Sequence, residues 1–136
     1  MRRIERIILI DDNEVTNFYN MDLLSSLGGG WDIHVFGDAE SALVYFEQNS
    51  VPLKQVNTLV LLDVKMPGQT GFDLLRELDE LDLLEQENIR FCILTSSNLV
   101  RDLEEFEKFP MVTHYLEKPL DRDKVGSLLP YFKQRA

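Results

Sequence analysis

The chain alternates short, almost wholly apolar runs with longer segments in which apolar residues recur every three or four positions. A short apolar run bounded by turn residues is typical of a strand that is buried on both faces of a parallel sheet. The longer segments have the spacing of amphipathic helices. The predicted strands are Ile7–Ile10, Trp31–Phe36, Thr58–Leu62, Ile89–Leu94 and Met111–Leu116.

A helix is predicted after each of the five strands. The supporting patterns are Val15, Tyr19, Leu23 and Leu27, a segment from Asp38 to about Gln48, Gly71 to about Leu81, Asn98–Phe109, and Val125, Leu128, Leu129 and Phe132. Asp38, Asp121 and the pair Thr70 and Asp73 are predicted to cap helix starts. Residues 50–57, with Pro52, are predicted to form a connector. Pro130 is expected to kink or shorten the last helix.

Strands that alternate with helices require right-handed crossovers and a parallel sheet covered by helices on both faces. The sequence therefore predicts an α/β fold. A chain of 136 residues, 44% of them hydrophobic, has the size of one domain.

The composition excludes several functional classes. The formal net charge is −10, which repels nucleic-acid backbones and anionic lipid, so direct DNA binding is not expected. Cys92 lies in an apolar run and is predicted to be a buried hydrophobe. The apolar run Ile7–Ile10 is too short for a signal or membrane segment. We expect a protein without membrane insertion, located in the cytoplasm.

Chemically reactive side chains follow four of the predicted strands. Asp11 and Asp12 follow the first strand, Asp63 the third, Thr95 the fourth and Lys118 the fifth. The carboxyl ends of parallel strands share one edge of a sheet, so these residues are expected to converge. Taken separately, each has an ordinary alternative: Asp11–Asp12 as a helix cap, Thr95 as a strand residue and Lys118 as a solvated turn residue.

Three carboxylates in one pocket repel one another by about 3 kcal/mol per pair at ~5 Å and an effective dielectric near 20. A divalent cation would offset this repulsion. Oxygen ligands without histidine or cysteine favour Mg²⁺ or Mn²⁺ over zinc. Lys118 and Thr95 are suited to phosphoryl oxygens. The set is typical of a phosphorylation site with an aspartate nucleophile.

The order Asp-Asp, Asp-x-x-Met-Pro-x-x-x-Gly, Thr and Lys-Pro resembles the receiver domain of two-component response regulators, over about residues 5–133. The resemblance implies one receiver domain over residues 1–136, of the stand-alone type. It also implies a flavodoxin-like (βα)5 three-layer sandwich with strand order 2-1-3-4-5.

By position, the resemblance makes Asp63 the acceptor of a phosphoryl group from a phosphohistidine of a sensor histidine kinase or histidine phosphotransferase. Asp12, Asp63 and the backbone carbonyl of Lys65 would bind Mg²⁺ directly, with Asp11 acting partly through water. Thr95 and Lys118 would contact the phosphoryl oxygens after transfer.

Tyr115 matches the aromatic switch position of the family, and Lys118–Pro119 resembles its cis peptide bond. Phosphorylation would then alter the surface from Asn98 to Phe132, formed by the fourth predicted helix, the last strand and the final helix, for an unidentified downstream protein. Catalysis would be limited to the domain's own phosphorylation and dephosphorylation. We also hypothesise that the Lys65 side chain tunes the lifetime of the phosphoryl group.

Two other functions are compatible with the sequence. One is a magnesium-dependent phosphohydrolase with an aspartyl nucleophile; such enzymes usually carry a second acid two residues after the nucleophile, where this chain has Lys65. The other is a receiver-like interaction module that is not phosphorylated. A fragment of a larger regulator is also compatible with the sequence.

Overall fold

The computed structural model describes residues 3–66, 68–82, 88–96 and 104–128. The strands are β1 Arg6–Ile10, β2 Asp32–Phe36, β3 Thr58–Asp63, β4 Ile89–Thr95 and β5 Val112–Glu117. The helices are α1 Glu14–Ser26, α2 Ala39–Gln48, α3 Ser50–Leu53, α4 Gly71–Glu80 and, after β5, α5 Arg122–Leu128. Residues 104–106 are also helical.

The five strands form one parallel sheet in the order β2-β1-β3-β4-β5. The prediction of a flavodoxin-like α/β fold is therefore confirmed. Strand β3 lies at the centre, and all six of its residues are buried, because helices cover the sheet on both faces. This fully buried strand thus delivers its last residue, Asp63, to the middle of the carboxyl edge.

Two hydrophobic clusters lie on opposite faces of the sheet, because neighbouring strand residues point to opposite faces. On one face, Val60 and Leu62 of β3 pack with buried residues of α2 and α4. On the other face, Leu59 and Leu61 pack with buried residues of α1 and α5. The buried thiol of Cys92 belongs to this second cluster, as the sequence predicted. The architecture has three layers.

The predicted helix starts are confirmed. The Asp38 carboxylate accepts a hydrogen bond from the Ser41 amide at 2.6 Å, and the Asp121 carboxylate accepts one from the Lys124 amide at 2.8 Å. Both bonds of the capping box at α4 are present, from the Thr70 amide to Asp73 at 2.9 Å and from the Asp73 amide to Thr70 at 3.2 Å. These bonds satisfy amides that have no partner within a helix.

One prediction about local structure was wrong in part, and a second was correct but incomplete. Residues 50–57 are not wholly a connector, because Ser50–Leu53 forms the short helix α3; Pro52 is tolerated there since amides in a first helical turn need no helical partner. The apolar spacing from Val15 to Leu27 correctly predicted a helix but does not mark its buried face. Residues four apart drift by about 40° per step around a helix, and α1 buries Asn17, Asn20 and Leu24 instead.

Some predicted features lie outside the described residues, namely residues 98–103 of the fourth predicted helix, the final turns at 129–132 and Pro130. Within the described ranges, no helix combines the length and the apolar character needed to cross a membrane.

Candidate functional site

Strand ends bring the predicted site residues to one edge of the sheet. Asp11 directly follows β1, Asp63 is the last residue of β3, Thr95 the last of β4, and Lys118 directly follows β5. Asp11, Asp12 and Asp63 each offer a carboxylate oxygen, and these three oxygens lie within 4.8 Å of one another. Asp11 and Asp63 are buried, whereas Asp12 is exposed. The cluster therefore opens to solvent on the Asp12 side.

Lys118 is the cation that faces this cluster. Its Nζ lies 2.7 Å from Oδ2 of Asp11 and 3.4 Å from Oδ1 of Asp63. Burial on its own would lower the pKa of Lys118, but the hydrogen bond to Asp11 and the charges of Asp63 and Asp11 outweigh burial and raise it. Lys118 is therefore charged at neutral pH and offsets part of the repulsion between the two buried carboxylates.

The surroundings of Asp63 change the pKa of its carboxyl group. Its burial, together with the nearby charge of Asp11, raises its pKa from 3.8 to about 6, against the opposing effects of Lys118 and of a hydrogen bond from the Lys65 amide. A buried carboxylate with a raised pKa is poorly solvated and is a candidate functional group. At pH 7 it is mostly ionised and available as a nucleophile.

The loop after Asp63 is held close to the start of α4. The Gly71 amide donates a hydrogen bond to the Val64 carbonyl at 2.9 Å. A Cβ atom at Gly71 would lie 2.7 Å from the backbone oxygen of Asp63 and 3.2 Å from Cα of Val64. Glycine is required here because the helix start packs directly on the backbone that carries Asp63. Gly68, with φ +83, allows the turn between them.

Sequence reasoning missed two asparagines that fix the position of Asp11. The Asn13 amide donates to Oδ1 of Asp11 at 2.9 Å, and the buried Asn17 side chain donates to the Asp11 carbonyl at 2.7 Å. Asn13 also caps α1, accepting a hydrogen bond from the Thr16 amide at 3.0 Å. The alternative of Asp11–Asp12 as a helix cap is therefore wrong. The pair Asn13 and Thr16 was a weak sequence signal for the cap.

Thr95 and Tyr115 lie on β4 and β5, the two strands on one side of β3. The Thr95 carbonyl accepts a hydrogen bond from the Lys118 amide at 2.8 Å, so the two residues are joined through the backbone. The Tyr115 ring is 36% exposed and lies 5.4 Å from the Phe106 ring, which stacks on Phe72 of α4 at 4.3 Å. Tyr115 thus belongs to an aromatic row that reaches α4.

Two other predicted features also have definite positions. The Lys65 side chain is exposed, while its amide faces Asp63. The Lys118–Pro119 peptide bond is cis.

The two histidines lie on strands, where His34 pairs with Asp32 at 2.9 Å and His114 is partly buried. Neither histidine belongs to the carboxylate cluster.

The arrangement has the donor set of a hard-cation site. Three carboxylates offer oxygen ligands, without histidine or cysteine, which suits Mg²⁺ and Mn²⁺. Lys118 contributes a fixed positive charge beside the buried acid, and the exposed side admits a reactant. Chemically, such a site can bind a divalent cation and present one aspartate oxygen to an electrophile.

A family model described as the response regulator receiver domain matches residues 7–129 of this chain. This range includes every predicted site residue and all five strands apart from Arg6, the first residue of β1.

Individual relatives are similar over different shares of the chain. The sporulation initiation phosphotransferase F of Bacillus subtilis is 36% identical over 81 residues, which cover 57% of this chain and 61% of that protein. The aerobic respiration control sensor protein ArcB of Escherichia coli is 27% identical over 126 residues, or 93% of this chain and 15% of the sensor. The chain thus spans less than two thirds of the length of either relative.

The fold is also similar to that of a solved response regulator receiver protein from Dyadobacter fermentans. The TM-score is 0.80 at 23% identity, and the match covers 96% of this chain and 99% of the solved chain.

Proposed function

This chain belongs to the response regulator receiver family, and on that premise we propose that it is a phosphoacceptor in a two-component phosphorelay. Asp63 accepts a phosphoryl group from the phosphohistidine of a sensor histidine kinase or a histidine phosphotransferase. The observation that carries the proposal is the cluster at the sheet edge, where Asp63 lies with Asp11 and Asp12 within 4.8 Å and with the Lys118 ammonium at 3.4 Å.

The residues present fit a magnesium ion, with manganese as an alternative. Asp12 and Asp63 would bind it directly, with the backbone carbonyl of Lys65, and Asp11 would act partly through water. Lys118 offsets one negative charge, which leaves a net negative site for a divalent cation. When bound, the ion would neutralise charge on the phosphoryl oxygens and help to align the donor.

In the transfer step, an oxygen of the Asp63 carboxylate forms a bond to phosphorus while the bond from phosphorus to the donor imidazole nitrogen breaks. The bonding electrons remain with the imidazole, which takes up a proton. The nucleophile has to be ionised, so its raised pKa of about 6 lowers the reactive fraction in mildly acidic solution. Lys118 stays protonated and stabilises the added charge of the acyl phosphate.

The output step is proposed to begin at Thr95 and Lys118. After transfer, both would contact the phosphoryl oxygens, and the backbone bond between them would couple the ends of β4 and β5. Tyr115 would then change its position within the aromatic row with Phe106 and Phe72. As a result, the surface from Asn98 to Phe132 would present a different face to a downstream protein.

The outer face of α1 supports a protein as the phosphoryl donor. Val15 is 77% exposed and Phe18 is 74% exposed, although α1 begins beside Asp11 and Asp12. A groove of about 250 Å³ between α1 and residues 118–120 includes Val15, Tyr19 and Lys118 in its lining. Exposed apolar residues that cluster beside a reactive group are typical of a protein contact surface.

The proposal is tested by intact-mass measurement after incubation with phosphoramidate and Mg²⁺. The wild-type protein is expected to gain one phosphoryl group, and Asp63→Asn is expected to gain none. Asp79→Asn, which changes an exposed acid on α4, is the matched control and should be phosphorylated normally.

The same experiment separates the alternatives. Steady release of phosphate from a phosphoester by the wild type, lost in Asp63→Asn, would support the phosphohydrolase. A lack of phosphoryl gain with both small and protein donors would support the unphosphorylated interaction module.

A further inference from the structure

The loop Glu117–Leu120, called the Lys118 loop below, connects β5 to α5 and carries Lys118. Strand β5 ends at Glu117 and helix α5 begins at Arg122, so the carbonyls of residues 118–120 lie outside the regular hydrogen bonds of strand and helix. The Lys118 amide is bonded to the Thr95 carbonyl at 2.8 Å. The position of the Lys118 side chain therefore depends on what holds the remaining backbone of this loop.

Side chains from two helices bind three carbonyls of the loop. Nζ of Lys124 on α5 donates to the Glu117 carbonyl at 2.6 Å and to the Pro119 carbonyl at 2.8 Å. The Tyr19 hydroxyl on α1 donates to the Leu120 carbonyl at 3.0 Å. We call these three bonds the carbonyl clamp. They join the loop to α5 on one side and to α1 on the other.

The conformation of Lys124 is unusual for a lysine near the surface. Its amide is bonded to Asp121 in the first turn of α5, and its side chain reaches back over the start of the helix. A cation is disfavoured at a helix start by the helix dipole, and a free lysine side chain has many solvated rotamers. The two short bonds to loop carbonyls account for this arrangement.

The Tyr19 side chain, like that of Lys124, is held by a hydrogen bond to the loop. Its ring is 45% exposed, yet its hydroxyl is bound to a residue 101 positions away in the sequence. Leu120 itself is 1% exposed and belongs to the core cluster with Leu24 and Val125. Tyr19 thus binds the loop at Leu120, a residue whose side chain is anchored in the core.

We propose that Tyr19 and Lys124 are positioning residues that, through the carbonyl clamp, hold the Lys118 ammonium between Asp11 and Asp63. The structural part of this proposal stands on the contacts alone. Its consequence for phosphoryl transfer rests on the proposed function. Without the clamp the loop opens more often, and the ammonium spends less time at 2.7 Å from Asp11 and 3.4 Å from Asp63.

The first test measures the reactivity of Lys118 and does not depend on phosphorylation. Each lysine is acetylated with an N-hydroxysuccinimide ester, and the rate at each site is followed by peptide mass spectrometry. A hydrogen bond of ordinary net strength shifts a local equilibrium by about five-fold. Tyr19→Phe removes one bond and should speed Lys118 acetylation by about that factor, whereas Lys124→Gln removes two bonds and should speed it by up to about 25-fold. The double variant should show up to about 125-fold if the bonds act independently.

Matched controls separate positioning from general loosening. Tyr45→Phe removes a hydroxyl that is bonded to Arg6, and Lys108→Gln removes a lysine paired with Glu105; neither should change Lys118 acetylation. In every variant, acetylation at the exposed Lys54 should match the wild type. Lys124→Arg retains several N–H donors and should restore slow Lys118 acetylation.

Unchanged Lys118 acetylation in the folded double variant would overturn the proposal. It would also be overturned if urea unfolding showed the double variant to be destabilised enough to account for the faster acetylation, since that result indicates general unfolding.

The second test uses phosphoramidate and Mg²⁺. If the wild type is phosphorylated, the double variant should be phosphorylated several-fold more slowly and Lys124→Arg close to normally; an equal rate in the double variant would overturn the consequence for transfer. If the wild type is not phosphorylated, the proposed function fails, and the acetylation rates still decide whether the clamp positions Lys118.

Discussion

Helices α1 and α4 flank the same acidic cluster but differ in the kind of side chain that they bury. Each follows a strand that ends in an aspartate loop. In α4, Leu74, Leu75 and Leu78 are fully buried, as expected for an amphipathic helix. In α1, two asparagines are buried while Val15 and Phe18 are exposed. The three buried leucines of α4 stabilise the fold, whereas α1 buries one leucine, Leu24, and leaves Val15 and Phe18 on the surface.

Polar side chains of α1 also serve the site. Asn17 donates its side-chain hydrogen bond to the Asp11 carbonyl, and Tyr19 binds the Lys118 loop. A helix that holds the backbone of a charged cluster needs polar groups on its inner side, because buried carbonyls require donors. Its sequence therefore departs from an apolar inner stripe for reasons that arise at the site.

The largest expected difference between the two helices is in stability. Leu78→Ala in α4 removes a fully buried side chain and should lower the free energy of unfolding by about 2–5 kcal/mol. Phe18→Ala in α1 should change it by less than about 0.5 kcal/mol, because that ring is 74% exposed. Urea unfolding measures both values. Similar losses in the two variants would refute the comparison.

The contact of α4 with β3, the strand that ends in Asp63, can be tested at Gly71, the first residue of the helix. Gly71→Ala should lower the free energy of unfolding by about 1–3 kcal/mol, because the new methyl group would meet the Asp63 carbonyl. Gly126→Ala in α5 is the control: its new methyl group meets nothing within 4 Å, so a gain of about 0.5–1 kcal/mol is expected. Thermal unfolding of both variants checks the prediction, and a neutral Gly71→Ala would contradict it.

The exposed face of α1 should affect the rate of phosphorylation by a protein donor but not by a small-molecule donor. With a histidine-containing donor protein that phosphorylates the wild type, Phe18→Ala should slow transfer by about tenfold, equivalent to about 1.4 kcal/mol. Phosphorylation by phosphoramidate should be unchanged, since the Phe18 ring is 74% exposed and a small donor does not need this surface.

Val51→Ala changes an apolar residue on α3 that is 70% exposed, at the other end of β3, and should leave both rates unchanged. If Phe18→Ala slowed both donors equally, the face would have a structural role instead.

The negative charge of Asp63 has a smaller effect on stability, and this effect depends on pH. The pKa of Asp63 is raised from 3.8 to about 6 in the folded protein, so the folded state binds more protons than the unfolded state between these values. Its contribution to stability therefore falls as pH rises from about 4 to about 6. Without divalent metal, Asp63→Asn should be more stable than the wild type by about 1–2 kcal/mol above pH 6, allowing for solvent screening.

That gain should vanish near pH 4, where the wild-type carboxyl is protonated in the folded state. Urea unfolding of both proteins across this range in a chelator checks the sign, and a gain that grew as pH fell would refute it.

The sequence was informative where one local signal decides the structure. Apolar runs, and for β2 a mixed apolar and polar run, predicted the strands. The ends of those strands predicted the meeting of Asp63 with Asp11, Asp12 and Lys118, because parallel strands share a carboxyl edge. The capping residues were equally local. In each of these cases the signal lies within a few residues of the feature that it predicts.

The sequence was less informative where distant segments decide the outcome. The buried face of α1 depends on what the sheet and the site require, so its apolar spacing was misleading. The bond from Tyr19 to Leu120 spans 101 positions, and the bonds from Lys124 to the loop depend on how α5 follows β5. Single-residue patterns contain no information on such contacts.

The central claim is that Asp63 itself accepts the phosphoryl group. The most direct measurement traps the product of phosphoramidate and Mg²⁺ with borohydride, which reduces an aspartyl phosphate to homoserine, and identifies the converted residue by peptide mass spectrometry. The account predicts homoserine at position 63 in the wild type and at no site in Asp63→Asn. Conversion at Asp11 or Asp12, or the same product in Asp63→Asn, would contradict it.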